Sequence, residues 1–166
     1  WCTWLTGPLR FGALASHRWW AWRIRWDDRD VVVRTARHPY IHLDSRAVYE
    51  AALDRLAGAA HVEVRTGQTV LGVGSSGDRP QVRTAGESFE ADEVFDAMGA
   101  GSPLLRARPA GDVELAQRFL GWEVEVDAPT FDVSVVTLMD FRPHDGDGVC
   151  FMYVLPFSPT RALVEH

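Results

Sequence analysis

Three acidic residues stand in apolar, strand-like surroundings near the end of the chain: Glu123 in FLGWEV, Asp140 in LMDF and Glu165 in RALVEH. Burial penalises the charged form of a carboxyl group and raises its pKa. An acid in an apolar strand can therefore be held protonated near neutral pH and act as a proton donor. The competing reading is that each acid ends a strand and points to water, since perturbed carboxyl groups mark function only as a tendency. Three such acids in one segment favour chemistry. Phe119, Trp122 and Tyr153 supply aromatic rings nearby, and a ring face attracts a cation by about 0.5–2 kcal/mol. For Trp20, Trp22 and Trp26, on alternating strand positions, packing is the expected role.

Strands must hold these residues. From Gln117 onward they are expected over roughly 118–127, 133–142, 149–155 and 160–165, separated by DAPTFD, RPHDGDG and PFSP as an antiparallel meander. Upstream, residues 19–26 alternate, with Trp20, Trp22, Ile24 and Trp26 on one side and Ala21, Arg23 and Arg25 on the other. The turn DDRD lacks an Asn-Gly signal, yet residues 31–35 read as the return strand of a hairpin. The clearest helix lies in YIHLDSRAVYEAALDRLAG, where Asp44 or Ser45 can cap, Val48, Ala51, Ala52 and Leu56 recur at helical spacing, and Gly58 ends the run. Shorter strands are expected at 62–65, 70–73 and 93–97, with a loop at GSSGDRP and a hairpin of 81–84 with 88–89. Composition changes at 109–112, which suggests a division into 1–110 and 111–166.

The 166 residues have the length of one domain, and the net charge of −6 is spread along the chain, so no nucleic-acid surface is indicated. Lysine is absent. Cys2 and Cys150 are isolated, and the six histidines show no ligand spacing, so neither a disulfide framework nor a metal site is expected. No GxSxG or Cys and His pairing points to covalent catalysis. No apolar run reaches the roughly 18–20 residues of a membrane span. The chain starts at Trp1 and stops at His166 directly after ALVE, which reads as an internal fragment truncated at both ends.

The strings QRFLGWEVEVDAPTFD, LMDF and FMYVLPFSPTRALVEH resemble the bacterial lycopene cyclase family, whose members close the ends of linear carotenes into rings. The resemblance runs the whole length and is most specific from Gln117 onward. It implies a mixed α/β (α+β) chain with an FAD/NAD(P)-binding, flavoprotein-like fold and an antiparallel sheet that covers the substrate. Residues 1–110 would then be a partial FAD-binding segment and 111–166 a partial catalytic sheet. The N-terminal GxGxxG fingerprint of such a fold is missing here, so the chain alone is expected to bind FAD weakly and to be inactive.

YIHLDSRAVYEAAL is similar to a pattern in flavoproteins of the aromatic hydroxylase and carotenoid cyclase groups, in which Arg46 matches an arginine near the cofactor's phosphate or ribose. VFDAMGAGS resembles the glycine turn that brings backbone close to FAD, with Gly99 and Gly101 matching and Met98 where arginine is frequent. The implied activity is a lycopene β-cyclase, an isomerase in which reduced FAD, maintained by NAD(P)H, supports a carbocation without hydride transfer. Glu165 matches the family's acid, although His166 stands where a second acid is usual; Glu123 and Asp140 follow it. Lycopene or a related carotene would be the substrate, reached from the cytoplasmic face of a membrane by peripheral contact. The alternatives are a flavin-dependent monooxygenase or prenyl reductase, and a non-catalytic module that binds an apolar ligand.

Overall fold

A computed structural model describes residues 1–102, 117–143 and 148–166. It shows a mixed α/β chain made mostly of sheets, with one α-helix among the described residues. Two compact units are present, Trp1–Gly58 with Gln117–His166, and Ala59–Ala116. They do not follow the expected division at 110, because the larger unit takes strands from both ends of the chain. The composition change at 109–112 lies outside the described residues.

In chain order the larger unit has β1 (Cys2–Trp4), β2 (Ala15–Trp19), β3 (Ala21–Trp26), β4 (Arg29–Arg34), β5 (Tyr40–Leu43) and α1 (Ser45–Ala57). The smaller has β6 (Val70–Ser76), β7 (Arg79–Thr84) and β8 (Ser88–Glu90). Back in the larger unit follow β9 (Gly121–Glu125), β10 (Val136–Asp140), β11 (Met152–Pro156) and β12 (Arg161–Glu165).

The larger unit is layered. Its small sheet has the order β1-β5-β2 and its large sheet the order β4-β3-β10-β11-β12-β9. Residues alternate across β5, and that alternation builds two cores. Ile41 and Leu43 face Val48 of α1, with Leu5, Phe11, Leu14 and Ala15 around them. Tyr40, with Trp19 of β2, faces Val136 and Leu155 of the large sheet. Full burial of side chains such as Ile41 and Leu155 contributes about 1.5–3 kcal/mol each. α1 starts where its cap chemistry places it: the Asp44 carboxylate accepts the Ala47 N–H at 3.0 Å, and Gly58 closes the last turn.

The expected meander holds only for β10, β11 and β12. β9 pairs with β12 rather than β10, and β10 lies parallel to β3, which brings the N-terminal hairpin into the C-terminal sheet. That hairpin turns on two residues, Asp27 and Asp28, with Asp27 at φ 47°, a conformation aspartate tolerates better than most side chains. Trp22 packs on the core as expected, but Trp20 precedes the strand and is exposed, while Ala21 on the opposite side is fully buried.

In the smaller unit GSSGDRP is no loop. β6 runs through Ser76, Gly77 takes a positive φ, and β7 starts at Arg79, with β8 completing a three-stranded sheet. Residues 62–65 and 93–97 form no strands; Val62, Val64 and Phe95 are exposed, so their apolar pattern lacks the packed face a strand there would need.

Candidate functional site

The register of the large sheet sorts the three acids. Glu165 pairs with Tyr153 on β11 and with Gly121 on β9, and Leu163 pairs with Leu155 and Glu123. Paired residues share a face, so Glu165, Leu163, Tyr153, Leu155, Gly121 and Glu123 all lie on the side that packs on the small sheet. Asp140 does not. A bulge between Thr137 and Asp140 sets Asp140 opposite Met152 and Arg25, which belong to the other face.

Asp140 is buried yet ionised. Arg142 donates to it from Nε at 2.8 Å and from an Nη at 2.6 Å, its backbone N–H adds a third bond, and Arg25 stands 3.7 Å away. These hydrogen bonds from Arg142 outweigh burial and hold the carboxyl below the usual carboxylate range. The expected buried, protonated donor is thus corrected for Asp140, because the arginines stabilise its charge. Glu123 is half exposed and pairs with Arg161 of β12. Glu165 is half-buried and makes no ion pair among the described residues.

A protic, aromatic cluster adjoins Glu165 through its cross-strand partner Tyr153. The hydroxyls of Tyr40 and Tyr153 lie 2.8 Å apart, and Cys2 packs against the same core. Burial raises the pKa of all three groups, which remain protonated and neutral. Trp4, paired with Tyr40 across β1 and β5, sets its ring edge-on to Tyr40 at 4.7 Å and to Trp22 at 5.8 Å. Gly121 leaves the room that Glu165 occupies, since a Cβ there would stand 2.7 Å from the glutamate Cγ.

Tyr153 therefore stands beside Glu165 as a candidate substrate-side residue. Trp122 does not: it pairs with Val164, so strand alternation turns it to the opposite face, where it is exposed. Phe119 precedes β9 and groups with Phe151, which in turn meets Phe141. The sequence reading missed Trp4, Tyr40 and the role of Trp22 in this cluster. No spacing signals them, because β1 and β5 meet β11 and β12 only through the packing of two sheets, and β3 reaches β11 only through β10.

Further along the same inter-sheet face lies a cleft of about 380 Å³, lined by Ser16, His17, His42, Asp44, Glu123, Phe157, Arg161 and Leu163. His17 and His42 are a cross-strand pair of β2 and β5, next to the buried pair Trp19 and Tyr40. The pKa of His42 is lowered, chiefly by burial. Among the described residues no group of three or more His, Cys, Asp or Glu is placed to hold a metal ion.

The residues expected near a flavin are described unit by unit. In the larger unit, Arg46 occupies the first turn of α1 with its side chain exposed. In the smaller, Gly99–Gly101 form a 3₁₀ turn that Asp96 organises by accepting the Met98 N–H at 2.8 Å and the Ser102 hydroxyl. Gly99 has φ +56°, and the space where a Cβ would lie is open at both Gly99 and Gly101. Within the larger unit the exposed guanidinium of Arg46 suits an oxyanion, and within the smaller the bare Gly99–Gly101 turn admits close approach of a ligand to backbone.

The family model described as Lycopene cyclase protein matches residues 1–166. The chain is also 32% identical over 150 residues to a lycopene beta-cyclase of Paracoccus sp. (strain N81106 / MBIC 01143), an alignment covering 86% of this chain and 34% of that relative. No solved structure matches. The chain spans about a third of the relative's length, and it belongs to the lycopene cyclase family.

Proposed function

We propose that the protein carrying this chain is a lycopene β-cyclase and that Glu165 protonates the terminal double bond of the carotene. One observation carries the reading: of the three acids, Glu165 alone sits without an arginine partner among the described residues, on the inter-sheet face and beside the neutral Tyr40, Tyr153 and Cys2 cluster. Addition of the proton leaves a cation, the neighbouring alkene attacks it to close a six-membered ring, and loss of a second proton forms the ring double bond. Reactant and product are isomers. The ring faces of Trp4, Trp22 and Tyr40 can each stabilise a nearby positive charge by about 0.5–2 kcal/mol.

Asp140, on the other face and ionised, ties β10 to β3 instead of donating the proton. Within the larger unit Arg46, through its guanidinium, is the residue we assign to FAD; the Gly99–Gly101 turn of the smaller unit is a separate candidate for close backbone approach to a ligand. When bound and kept reduced by NAD(P)H, FAD would supply electron density that favours a cation. A carotene substrate also implies peripheral contact with the cytoplasmic membrane face; no helix among the described residues is long and apolar enough to span a bilayer.

The test is expression of the full-length protein in lycopene-accumulating bacteria, with pigments separated by chromatography. Conversion of lycopene to γ- or β-carotene is expected. Unchanged lycopene with a well-expressed, flavin-loaded protein contradicts the reading and moves a redox flavoenzyme to first place.

A further inference from the structure

The cyclase reading requires a base as well as an acid, and neither Asp140 nor Glu123 readily provides one. Asp140 is on the far face, and Glu123 is held by Arg161. The inter-sheet face offers imidazole instead. His42 follows Tyr40 by two residues on β5, and His17 precedes Trp19 by two on β2, so both rings continue the face that holds Tyr40 against Tyr153. The ring of Phe157 lies 4.8 Å from His17 and 5.1 Å from His42. Opposite them stand Leu163 and Glu123, and Leu163 is two residues, about 7 Å of strand, from Glu165.

Ser16 fixes how these histidines are protonated. Its Oγ lies 2.7 Å from His42 Nδ1, 3.2 Å from His17 Nδ1 and 3.3 Å from the His42 carbonyl oxygen. A hydroxyl has one proton to give and two lone pairs. All three contacts are satisfied together when Ser16 donates to the carbonyl and accepts an Nδ1–H from each ring. Each Nε2 then carries the lone pair, and His42 Nε2 has no hydrogen-bond partner among the described residues. The charged and titratable groups facing His42 are His17 on β2, the Trp1 amino group, Asp44 at the start of α1, Glu123 on β9 and Arg161 on β12. Burial and the neighbouring His17 both disfavour the imidazolium in the resting protein.

Resting on the cyclase reading, we infer that His42 Nε2 is the base that removes the ring proton after cyclisation, with Ser16 as the residue that positions it. The C–H bond beside the cationic carbon breaks, its electron pair becomes the ring double bond, and the proton passes to Nε2. The first step has left Glu165 as a carboxylate; a proton returned from the imidazolium to Glu165 restores both groups, and no co-reactant is consumed. A ring cation can lose a proton from any carbon flanking the charge. The place of the base therefore decides where the double bond falls.

The experiment compares wild type, His42→Gln and Ser16→Ala forms of the full-length, flavin-loaded protein, by pigment analysis in cells and by the pH profile of kcat/KM in vitro. His42→Gln is expected to lower turnover by about 100-fold and to divert product from β ends to ends with a displaced double bond or a hydroxyl from trapped water. Ser16→Ala is expected to retain β ends while shifting the acidic limb of the profile, where His42 takes up a proton. Wild-type turnover with only β ends in His42→Gln overturns the assignment. Should His42→Gln not accumulate as folded, flavin-bound protein, an unchanged acidic limb in Ser16→Ala overturns it. A wild type that leaves lycopene open overturns the cyclase reading itself, and the base falls with it.

Discussion

Asp140 is gripped by Arg142 through two guanidinium nitrogens and a backbone N–H, and its folded-state pKa is depressed as a result. A carboxyl group with a depressed folded pKa adds stability above its unfolded pKa and loses that contribution as pH falls through the folded value. Asp140→Asn is accordingly expected to melt below wild type at neutral pH, by about 1–3 kcal/mol, with the gap closing at pH values well below the carboxylate range. Thermal unfolding of both proteins across pH checks this; a gap that persists at the acid end contradicts the ionised assignment. The sequence marked Asp140 and Glu165 alike, as acids in apolar strands. It could not separate them, because the difference is made by a bulge in β10 and by arginines on β3 and after β10. His17, His42 and Tyr40 were equally unmarked as site residues, since only the pairing of β2 with β5 and the packing of that sheet on β11 and β12 gather them.

β9 is the element that shapes the surroundings of Glu165. Gly121 opposes it on β12, and the absence of a Cβ admits the glutamate side chain. Gly121→Ala would meet Cγ, near the root of the side chain, so the carboxyl must change rotamer, which costs about 0.5–1.5 kcal/mol. The expected outcome is a folded protein with carotene cyclisation reduced at least tenfold, measured as ring-bearing pigment per unit of soluble protein. Undiminished cyclisation would separate the position of Glu165 from the reaction. Local elements were largely legible: Asp44 and Gly58 announce the ends of α1, period-two alternation announces β3, and the run after DDRD announces its hairpin partner β4. Strand partners were not. Nothing local to the sequence says that β9 seeks β12 or that β10 runs parallel to β3, since those choices follow from shared burial across distant segments.

At the scale of the molecule, one layered unit drawn from both ends of the chain holds the proposed acid, the aromatic cluster and the imidazole cleft. Two sheets packed together bring aromatic rings and protic groups to one shared surface. Family membership was legible in the strings around Glu123, Asp140 and Glu165, whereas the surface they belong to was not, because Asp140 stands outside it. The account therefore rests on Glu165. Its most direct test is pigment analysis of lycopene-accumulating bacteria expressing the full-length protein beside its Glu165→Gln form, with soluble protein and bound flavin measured in both. Ring-bearing carotene from the wild type and open lycopene from an equally abundant, flavin-loaded variant is the predicted result; ring formation by Glu165→Gln at the wild-type level would contradict it.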